Sequence, residues 1–457
     1  MKAIFLALSM CAFSICAAAD DFTIVNVGPE FQSKPAADRV VLTEYYAAKP
    51  PTLQFNEPAS LERCELNGKS CIGSDPIPLK LTPADHGPVE FKLSFKKKNE
   101  VVQNLVISLL GPSFPMYTVA GKSKLDHLIA ISPIGVNWET LLPEPKQGNL
   151  LVLTPDGAVY FYRMSPDVIL DFRPHRVGKK LFFSYFRVEK SINAQTVIGK
   201  RVILDRDFKF VRELPWDLNL HEFLMLGEDH FIGMVSTHSK TGLGTCIAAA
   251  DIVEWKNGKV VFSLKSTEPL KRGLTITPYM QVNSASETCI EPFHLNSIQP
   301  VGDDRLLLNY LQFTMLWMKK EKRIEWILRG PEDQFGLPRD YIDSWAHTAN
   351  WNPETRSLLL FQNYAGNDHN SKVVEFKLEF KPVKKASVIH TIFDSGMKSQ
   401  IMGSAEIEDG VVSMYLGKKD DENAPDFHEI IDGRETLTIT LKKPFTSGYR
   451  AYRYLPD

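Results

Sequence analysis

Three histidines occupy the same point of a recurring sequence pattern and are the residues best suited to chemistry. His221, His294 and His347 each precede an apolar run, and the chain has only 11 histidines in all. Converging neutral imidazoles can bind zinc or copper, or act as nucleophile and proton carrier in group transfer. Asn296, two residues after His294, could donate to an anionic oxygen.

The recurring pattern predicts the elements that would bring these histidines together. Each unit reads as a His or Asp, an apolar pair, a spacer, a Gly or Asp turn and an apolar strand. Periods near 40–50 residues with short strands are typical of β-propeller blades. We expect a sixth blade from the 135–165 region, closed by a terminal strand. Units start at Asp171, His221, His294, His347 and Gly403, at intervals of 50, 73, 53 and 56 residues.

Hairpin signals support an all-β fold. Apolar runs flank Asp156-Gly157 and Asn257-Gly258, the dipeptides that favour tight turns between antiparallel strands. The predicted fold is a six-bladed β-propeller preceded by a small N-terminal β-sandwich-like domain. Since the first strand of each blade lines the central channel, residues in phase should converge there.

Length and composition limit the alternatives. A chain of 457 residues is longer than one ordinary domain. Its 44% hydrophobic and 24% charged residues exclude a disordered chain. Its 53 basic and 55 acidic residues argue against a nucleic-acid binder, which carries a basic excess.

The first residues resemble a secretory signal peptide. Lys2 is followed by a short apolar stretch and then Ala17-Ala18-Ala19, so we expect cleavage before Asp20. A membrane anchor is the alternative, but the stretch is shorter than the ~20 residues that span a bilayer. We therefore expect an exported protein without stable membrane insertion.

Four cysteines remain after that cleavage. An even number in an exported chain suggests two disulfides, and the economical pairing is Cys64–Cys71 and Cys246–Cys289. Metal ligation and free thiols are the alternatives. The second pair falls in the 73-residue interval, where we expect an inserted hairpin stapled by a disulfide.

The expected organisation has three parts. Residues 1–19 form the signal peptide, residues 20–130 an N-terminal β-domain and residues 131–457 the propeller. In the first domain, Gly87–Phe95 and Val101–Leu109 are predicted to pair across a lysine-rich turn.

A family resemblance rests on the segment around His294. His294-Leu-Asn-Ser-Ile resembles the H-x-N-S-[VI] motif of the bacterial arylsulfate sulfotransferase family. Similar order and spacing continue through Ile324-Glu-Trp-Ile-Leu-Arg-Gly, Trp345-Ala-His-Thr-Ala and Leu358-Leu-Leu-Phe-Gln-Asn-Tyr. His221-Glu222 resembles the His-Asp pair of an earlier blade.

The resemblance implies a periplasmic propeller that moves a sulfuryl group from an aryl sulfate ester to a phenol without the nucleotide sulfate donor. By motif position His347 would be the transiently sulfated nucleophile. His221, His294 and Asn296 would hold the sulfuryl oxygens and assist proton transfer. No cofactor is expected, and a homodimer is left open.

A departure from the family pattern concerns charge, and one further candidate concerns aryl binding. The family's arginine on the strand after H-x-N-S has no counterpart in Leu308-Asn-Tyr-Leu-Gln. Arg329 is therefore a candidate for substrate binding, together with Arg173 or His175. Trp345 lies two residues before His347, so in a regular strand it would share a face with it and could stack on an aryl ring.

Two other functions remain open from sequence. A non-enzymatic exported propeller could bind an aromatic or anionic ligand or a partner protein. Alternatively, His221, His294 and His347 could form a metal site.

Overall fold

The computed structural model describes most of the chain from Phe114 onward and, by backbone alone, several strands before and between those parts. Side chains are described at the following positions: 114–115, 117–135, 147–157, 159–189, 197–238, 246–268, 289–291, 293–338, 340–341, 345–363, 370–389, 391–392, 394–396, 398–399 and 401–456.

The strands before residue 110 form a separate β-structure. The pairing of Val89–Lys97 with Glu100–Leu109 is antiparallel, as expected for the hairpin at the lysine-rich turn. A five-stranded sheet has the order β1-β7-β6-β3-β4, and β2 pairs with β5. These strands are β1 (Arg39–Leu42), β2 (Thr52–Leu53), β3 (Ser60–Leu66), β4 (Lys69–Ser70), β5 (Ile77–Pro78), β6 (Val89–Lys97) and β7 (Glu100–Leu109).

The rest of the described chain forms a six-bladed β-propeller, which confirms the predicted fold class. Blade 1 contains β9 (Leu128–Ile134), β12 (Gly148–Leu153), β13 (Val159–Ser165) and β37 (Ser447–Tyr454). Blade 2 contains β14 (Ile169–Val177), β15 (Lys180–Ser191), β16 (Val197–Leu204), β17 (Phe210–Glu213) and β18 (Leu218–Asn219). Blade 3 contains β19 (Phe223–Gly227), β20 (His230–Lys240), β21 (Cys246–Lys256), β22 (Lys259–Leu264), β23 (Met280–Asn283) and β24 (Thr288–Glu291).

Blades 4 to 6 follow the same antiparallel plan. Blade 4 contains β25 (Leu295–Val301), β26 (Arg305–Tyr310), β27 (Thr314–Met318) and β28 (Arg323–Leu328). Blade 5 contains β29 (Trp345–Asn352), β30 (Ser357–Ala365), β31 (Asn370–Glu379) and β32 (Lys385–Asp394). Blade 6 contains β33 (Ser404–Glu408), β34 (Val411–Tyr415), β35 (Phe427–Ile431), β36 (Arg434–Leu441) and β8 (Tyr117–Gly121). Two short strands, β10 (Val136–Asn137) and β11 (Leu142–Pro143), pair with each other, and a single short helix, α1 (Arg339–Ile342), is found in the described chain.

Two strands from opposite ends of the propeller sequence close the ring. β8 adds to the outer side of blade 6 through β36, and β37 is the innermost strand of blade 1 through its pairing with β9. The six innermost strands are therefore β14, β19, β25, β29, β33 and β37. The predicted terminal strand is present, and it lines the channel.

The apolar cores lie between neighbouring blades. One core packs Ile232 and Ile252 of blade 3 against Leu308 and Trp317 of blade 4. Because each blade packs both faces against its neighbours, strands such as β12 and β34 are buried along their whole length. Burial of these faces is the main source of ring stability.

The long interval between His221 and His294 holds the predicted inserted hairpin. β23 and β24 form an antiparallel pair, and β24 runs parallel to the start of β21. The pairing aligns Cys246 with Cys289, which are joined by a disulfide across 43 residues. This confirms the second predicted disulfide. The pairing proposed for Cys64 and Cys71 lies outside the described side chains.

The propeller begins earlier than the predicted boundary at residue 131. Tyr117–Gly121 already belongs to blade 6, and Leu128–Ile134 is the second strand of blade 1. A short strand carries no repeat signature of its own, so the sequence pattern missed it. The predicted signal peptide, residues 1–19, lies outside the described residues. Among those described, no helix has the length and apolarity needed to cross a membrane.

Candidate functional site

The three predicted histidines lie together at the start of the inner strands of blades 3, 4 and 5. The rings of His221 and His294 meet edge to face, with centroids 4.6 Å apart and an interplanar angle of 89°. His347 is close enough to His221 to lower the pKa of that imidazole, and His294 likewise lowers the pKa of His347. All three side chains are largely buried.

β-Bulges direct side chains into this site. Asn296 and His347 are each skipped in the ladder between their strand and its neighbour. The pairs Asp171-Phe172 of β14 and Tyr449-Arg450 of β37 are skipped in the same way. A bulge turns a side chain out of the regular alternation and is common beside functional sites. Four inner strands therefore place an irregular residue near the same level of the channel.

Asparagine side chains set the tautomer of two histidines. His221 Nδ1 lies 2.5 Å from Asn219 Oδ1, and His347 Nδ1 lies 2.5 Å from Asn363 Oδ1. Each amide nitrogen donates elsewhere: Asn219 to Ser236, and Asn363 to the carbonyls of residues 399 and 402. The oxygens must then face the imidazoles, so both Nδ1 atoms carry the proton and both Nε2 atoms carry the lone pair.

The two Nε2 atoms have different surroundings. His347 Nε2 accepts the backbone N–H of Met402 at 3.0 Å. His221 Nε2 has no hydrogen bond to any residue that the structure describes. Met402 has a positive φ of 64°, so the backbone turns sharply where it meets His347. Any attack by His347 Nε2 requires that hydrogen bond to open.

Burial keeps these two histidines neutral. The pKa of His347 is lowered to about 3. Desolvation is the largest cause, the hydrogen bond to Asn363 offsets part of it, and the nearby His294 and Arg450 lower the pKa further. Desolvation likewise lowers the pKa of His221 well below its ordinary value, with contributions from His294, His347 and Arg450. A neutral imidazole has an available lone pair, which a nucleophile or a base needs.

His294 has a carboxylate partner. Its Nδ1 lies 2.9 Å from Glu291 Oε1, and Glu291 ends the strand that follows Cys289 on the disulfide-stapled hairpin. A carboxylate on one imidazole nitrogen orients the ring and fixes which nitrogen faces the site. Glu291 therefore orients His294, whereas burial holds His221 and His347 neutral.

Asn296 joins blades 4 and 5. Its Nδ2 donates to the carbonyl of Ala346 at 3.0 Å, beside His347. Its Oδ1 is buried without a hydrogen bond to the described residues. Asn296 is thus adjacent to the histidines, and one of its two amide hydrogens is already committed.

A buried arginine that sequence reasoning missed enters the site from β37. Arg450 Nη1 lies 3.0 Å from Glu222 Oε2, and its Nη2 donates to the Asn296 carbonyl at 2.6 Å. Glu222 also pairs with Arg173 through its other oxygen. The only signal in the sequence was that Arg450 lies between two tyrosines, Tyr449 and Tyr452, in the terminal strand.

A second buried ion pair supports the channel wall. Asp171 Oδ2 lies 2.7 Å from Arg201 Nη2, and both side chains are fully buried. Tyr452 donates to Asp171 Oδ1 at 2.6 Å. Burial alone would raise the pKa of Asp171, but Arg201, Arg450 and Arg173, together with the Tyr452 hydrogen bond, lower it below its ordinary value. Asp171 is therefore a structural anion in the repeat position that histidines occupy in other blades.

The position of Arg329 corrects its predicted role. The guanidinium is fully buried and donates to the carbonyls of Tyr310 and Leu311 and to Asn309 Oδ1. Desolvation lowers its pKa to about 9 despite Asp333. Arg329 therefore secures the turn between β26 and β27 and is not directed at the histidines.

The expectation for Trp345 loses its geometric basis. Trp345 is partly exposed at the first position of β29. The ladder is irregular on both sides of Ala346, so a separation of two residues does not put Trp345 and His347 on one face. His175, the other notable histidine, contacts Ser184 inside blade 2 at 2.7 Å.

A polar cavity of about 110 Å³ lies further along the inner strands. Arg173, Glu222, Arg450 and Tyr452 line it, together with hydroxyl side chains that include Ser297. At about 30 Å³ per water in the liquid, this volume holds only a few small groups. Charges of both signs line the cavity, Arg173 and Arg450 against Glu222 and Glu406. Within the described part of the chain, no three His, Cys, Asp or Glu side chains have a metal-binding arrangement.

The neutral histidines predict acid-sensitive folding. An unfolded histidine titrates near 6.5, whereas His347 titrates near 3 in the folded protein. Between these values the unfolded chain binds a proton that the native state does not, so stability falls as pH falls through this window. We expect a loss of about 1.4 kcal/mol per pH unit for each such histidine. Urea unfolding at pH 7, 6 and 5 measures it.

Matched variants separate this effect from general acid denaturation. His347→Gln should reduce the slope of unfolding free energy against pH between pH 6 and 5 by one proton. His230→Gln, at a partly exposed position paired with Glu254, is the matched control. An equal slope in wild type and His347→Gln would contradict a neutral, buried His347.

Comparison with known proteins identifies one family. Residues 233–413 match the family described as arylsulfotransferase (ASST), a segment that includes His294, Asn296 and His347. No curated protein matches the chain in sequence. Among solved structures, a periplasmic gluconolactonase from Pseudomonas aeruginosa has 9% identity and a TM-score of 0.39, over 72% of this chain and all of the other. The WD40 domain of SCAP from fission yeast has 9% identity and a TM-score of 0.31, over 85% of this chain and 99% of the other.

The family match and the propeller agree with each other. The matched segment runs from β20 of blade 3 to β34 of blade 6 and so contains the complete blades 4 and 5. This match supports the arylsulfotransferase family over residues 233–413.

Proposed function

We propose that the protein transfers a sulfuryl group from an aryl sulfate to a phenol in the periplasm, through a sulfohistidine on His347. The observation that carries the proposal is the cluster of neutral, tautomer-locked histidines in a chain of this family. A lone pair on Nε2 is what attack on sulfur requires, and Asn363 holds the proton on the opposite nitrogen. The predicted signal segment supports export.

The first step forms one bond and breaks one. His347 Nε2 attacks sulfur with its lone pair, and the S–O bond to the aryl group breaks with its electron pair left on the phenolate oxygen. His294, oriented by Glu291, delivers a proton to that oxygen. The Met402 N–H, released from Nε2, becomes a donor for a sulfuryl oxygen.

The second step reverses the first with a new acceptor. A phenol gives its proton to His294, its oxygen attacks sulfur, and the N–S bond breaks with its electron pair returned to Nε2. The enzyme is regenerated and no cofactor is consumed. His221 and the remaining amide hydrogen of Asn296 would contact the sulfuryl oxygens, because negative charge develops there.

The direct test uses the full mature chain with p-nitrophenyl sulfate as donor and phenol as acceptor. We expect release of p-nitrophenol that depends on phenol, together with formation of phenyl sulfate. Initial rates at several donor and acceptor concentrations should give the parallel lines of a ping-pong cycle.

The alternative is an exported propeller that binds an aromatic or anionic ligand without turnover. The polar cavity lined by Arg173, Arg450, Glu222 and Glu406 offers hydrogen-bonding groups to such a ligand. Saturable binding of aryl sulfates measured by calorimetry, with no transfer and no hydrolysis across a panel of donors, would establish the binder and reject the enzyme.

A further inference from the structure

The bulge on the closing strand β37 contacts the backbone where three other inner strands begin. Tyr449 and Arg450, the residues that the ladder skips, are both buried. Arg450 Nη2 donates to the Asn296 carbonyl at 2.6 Å, and the Tyr449 hydroxyl donates to the His221 carbonyl at 3.3 Å. The Tyr449 carbonyl accepts the N–H of Gly403 at 3.0 Å. Two adjacent residues of blade 1 therefore bond directly to the chain at the start of blades 3, 4 and 6.

The side chains of the bulge are also bonded to each other. Arg450 Nη2 lies 3.4 Å from the Tyr449 hydroxyl, so the guanidinium, the hydroxyl and the His221 carbonyl form a chain of hydrogen bonds. Hydrogen bonds from a charged donor are stronger than those between neutral groups. The chain therefore ties the backbone at His221 to the same arginine that bonds Asn296.

Asn296 itself lies in a bulge of β25, where the ladder to β26 is interrupted. Arg450 bonds the carbonyl of this bulge. Glu222 Oε2, which lies 3.0 Å from Arg450 Nη1, is also 3.4 Å from the nitrogen of Ile298. The ion pair of Arg450 and Glu222 thus holds the bulge on both sides. Such support matters because the regular ladder bonds are disrupted at a bulge.

We propose that the Tyr449-Arg450 bulge positions this site: it holds Asn296 and His221 where the sulfuryl oxygens bind. The inference rests on the proposed function and adds to it the part of the ring that fixes those two residues. The Asn296 amide donates to the carbonyl of Ala346, the residue before the nucleophile, so a displaced bulge also disturbs the nucleophile's strand. A misplacement of about 1 Å is enough to cost about 10²-fold in rate.

A matched control lies on the same strand. The side chains of Arg453 and Arg450 are both 2% exposed, and each is paired with a buried carboxylate. Arg453 Nη1 lies 3.4 Å from Glu429 Oε2, and its Nη2 donates to the Val411 carbonyl at 2.9 Å. These partners belong to β34 and β35 of blade 6 and not to the strands that carry the histidines. Loss of Arg453 therefore removes a buried ion pair without removing a contact to the site.

Methionine is the replacement for either arginine, because it keeps an unbranched apolar side chain. Glu222 then keeps its pairing with Arg173, and Glu429 keeps its hydrogen bond from Thr436. Neither change leaves a buried carboxylate without a partner, the situation that is most destabilising. Both variants should therefore fold.

The first measurement needs no substrate. Hydrogen exchange followed by mass spectrometry compares wild type, Arg450→Met and Arg453→Met. Peptides covering 294–300 should exchange about tenfold faster in Arg450→Met, because a hydrogen bond to a charged group is lost at the bulge. They should keep the wild-type rate in Arg453→Met, whose effect should fall on peptides around 427–431. Equal exchange of 294–300 in both variants would overturn the proposal.

The second measurement is transfer from p-nitrophenyl sulfate to phenol. We expect kcat to fall about 10²-fold in Arg450→Met and to stay within a few-fold of wild type in Arg453→Met. Arg450→Met combined with Asn296→Ala should lose less than the product of the two single losses, because both changes act through the same amide. Equal kcat in the two methionine variants, or losses that multiply, would contradict the positioning role.

Tyr449→Phe keeps the test decisive if Arg450→Met does not fold. It removes one neutral hydrogen bond, to the His221 carbonyl, and should lower kcat by about two- to tenfold. An unchanged kcat in this variant overturns the proposal. If wild type proves inactive, the proposed function fails, while hydrogen exchange still decides whether Arg450 holds the bulge at Asn296.

Discussion

Replacing His347 by alanine is expected to lower sulfuryl transfer from p-nitrophenyl sulfate to phenol by at least about 10³-fold. Alanine has no lone pair, so no nucleophile attacks the sulfur of the donor and the S–O bond to the aryl group is not displaced. The loss should appear in kcat, since a covalent intermediate contributes to the chemical step and not to donor binding. Initial rates at saturating donor measure it.

The matched control is His230→Ala. His230 pairs with Glu254 on blade 3, where it is partly exposed, so its loss should leave the rate within a few-fold of wild type. Rapid acid-free quenching followed by mass spectrometry of peptides should show one SO₃ adduct on His347 in wild type when acceptor is absent.

The hydrogen bonds also identify His221 as the competing nucleophile. His221 has its Nδ1 on Asn219 and no described hydrogen bond on Nε2, whereas His347 must first release Met402. If His347→Ala retains activity while His221→Ala is inactive and the adduct maps to His221, the nucleophile is His221. Retained activity in both variants would reject a sulfohistidine at either position.

Asp171→Ala is expected to destabilise the fold by about 3–5 kcal/mol. The substitution leaves Arg201 fully buried and without its carboxylate, and Tyr452 loses its acceptor. Asp171 also has a positive φ of 51°, a conformation that alanine tolerates poorly. Urea unfolding followed by tryptophan fluorescence measures the loss.

Two comparisons separate charge from backbone strain. Asp171→Asn keeps the shape of the side chain and suits a positive φ. Any large loss of unfolding free energy that remains in this variant is therefore caused by the unpaired Arg201. Asp167→Ala removes an exposed carboxylate 3.8 Å from Arg187 and should cost less than about 1 kcal/mol. Equal effects of Asp171→Ala and Asp167→Ala would show that the buried pair does not stabilise the ring.

The blade pattern was predictable because it depends on local chemistry. Asn257-Gly258 forms a turn through its own backbone preferences, and the hairpin it joins pairs in the expected order. The extra hairpin between His221 and His294 followed from interval length and cysteine spacing, and the Cys246–Cys289 disulfide confirms it. The outer strand at Tyr117–Gly121 was missed, since only its partner in blade 6 makes it a strand of the propeller.

The histidines were predicted because they occupy the same position in successive repeats, whereas the residues that contact them were not predicted. Asn363 lies in β30, a strand that the pattern used only for its apolar residues. Arg329 was an attractive cation only while its backbone contacts were unknown. Trp345 was assigned by the alternation of a regular strand, and the bulges at His347 remove that regularity.

The sequence by itself determined the propeller, its disulfide-stapled hairpin and the convergence of His221, His294 and His347. Repeats and turns depend on residues that are close together in the chain, so their patterns are visible without the structure. Only the tertiary structure decided which charges surround them. Arg450 lies 228 residues from Glu222 and 154 from Asn296 along the chain, and no local preference connects residues so far apart. Ring closure by the terminal strand brings them into contact and so sets which charges lie beside the histidines.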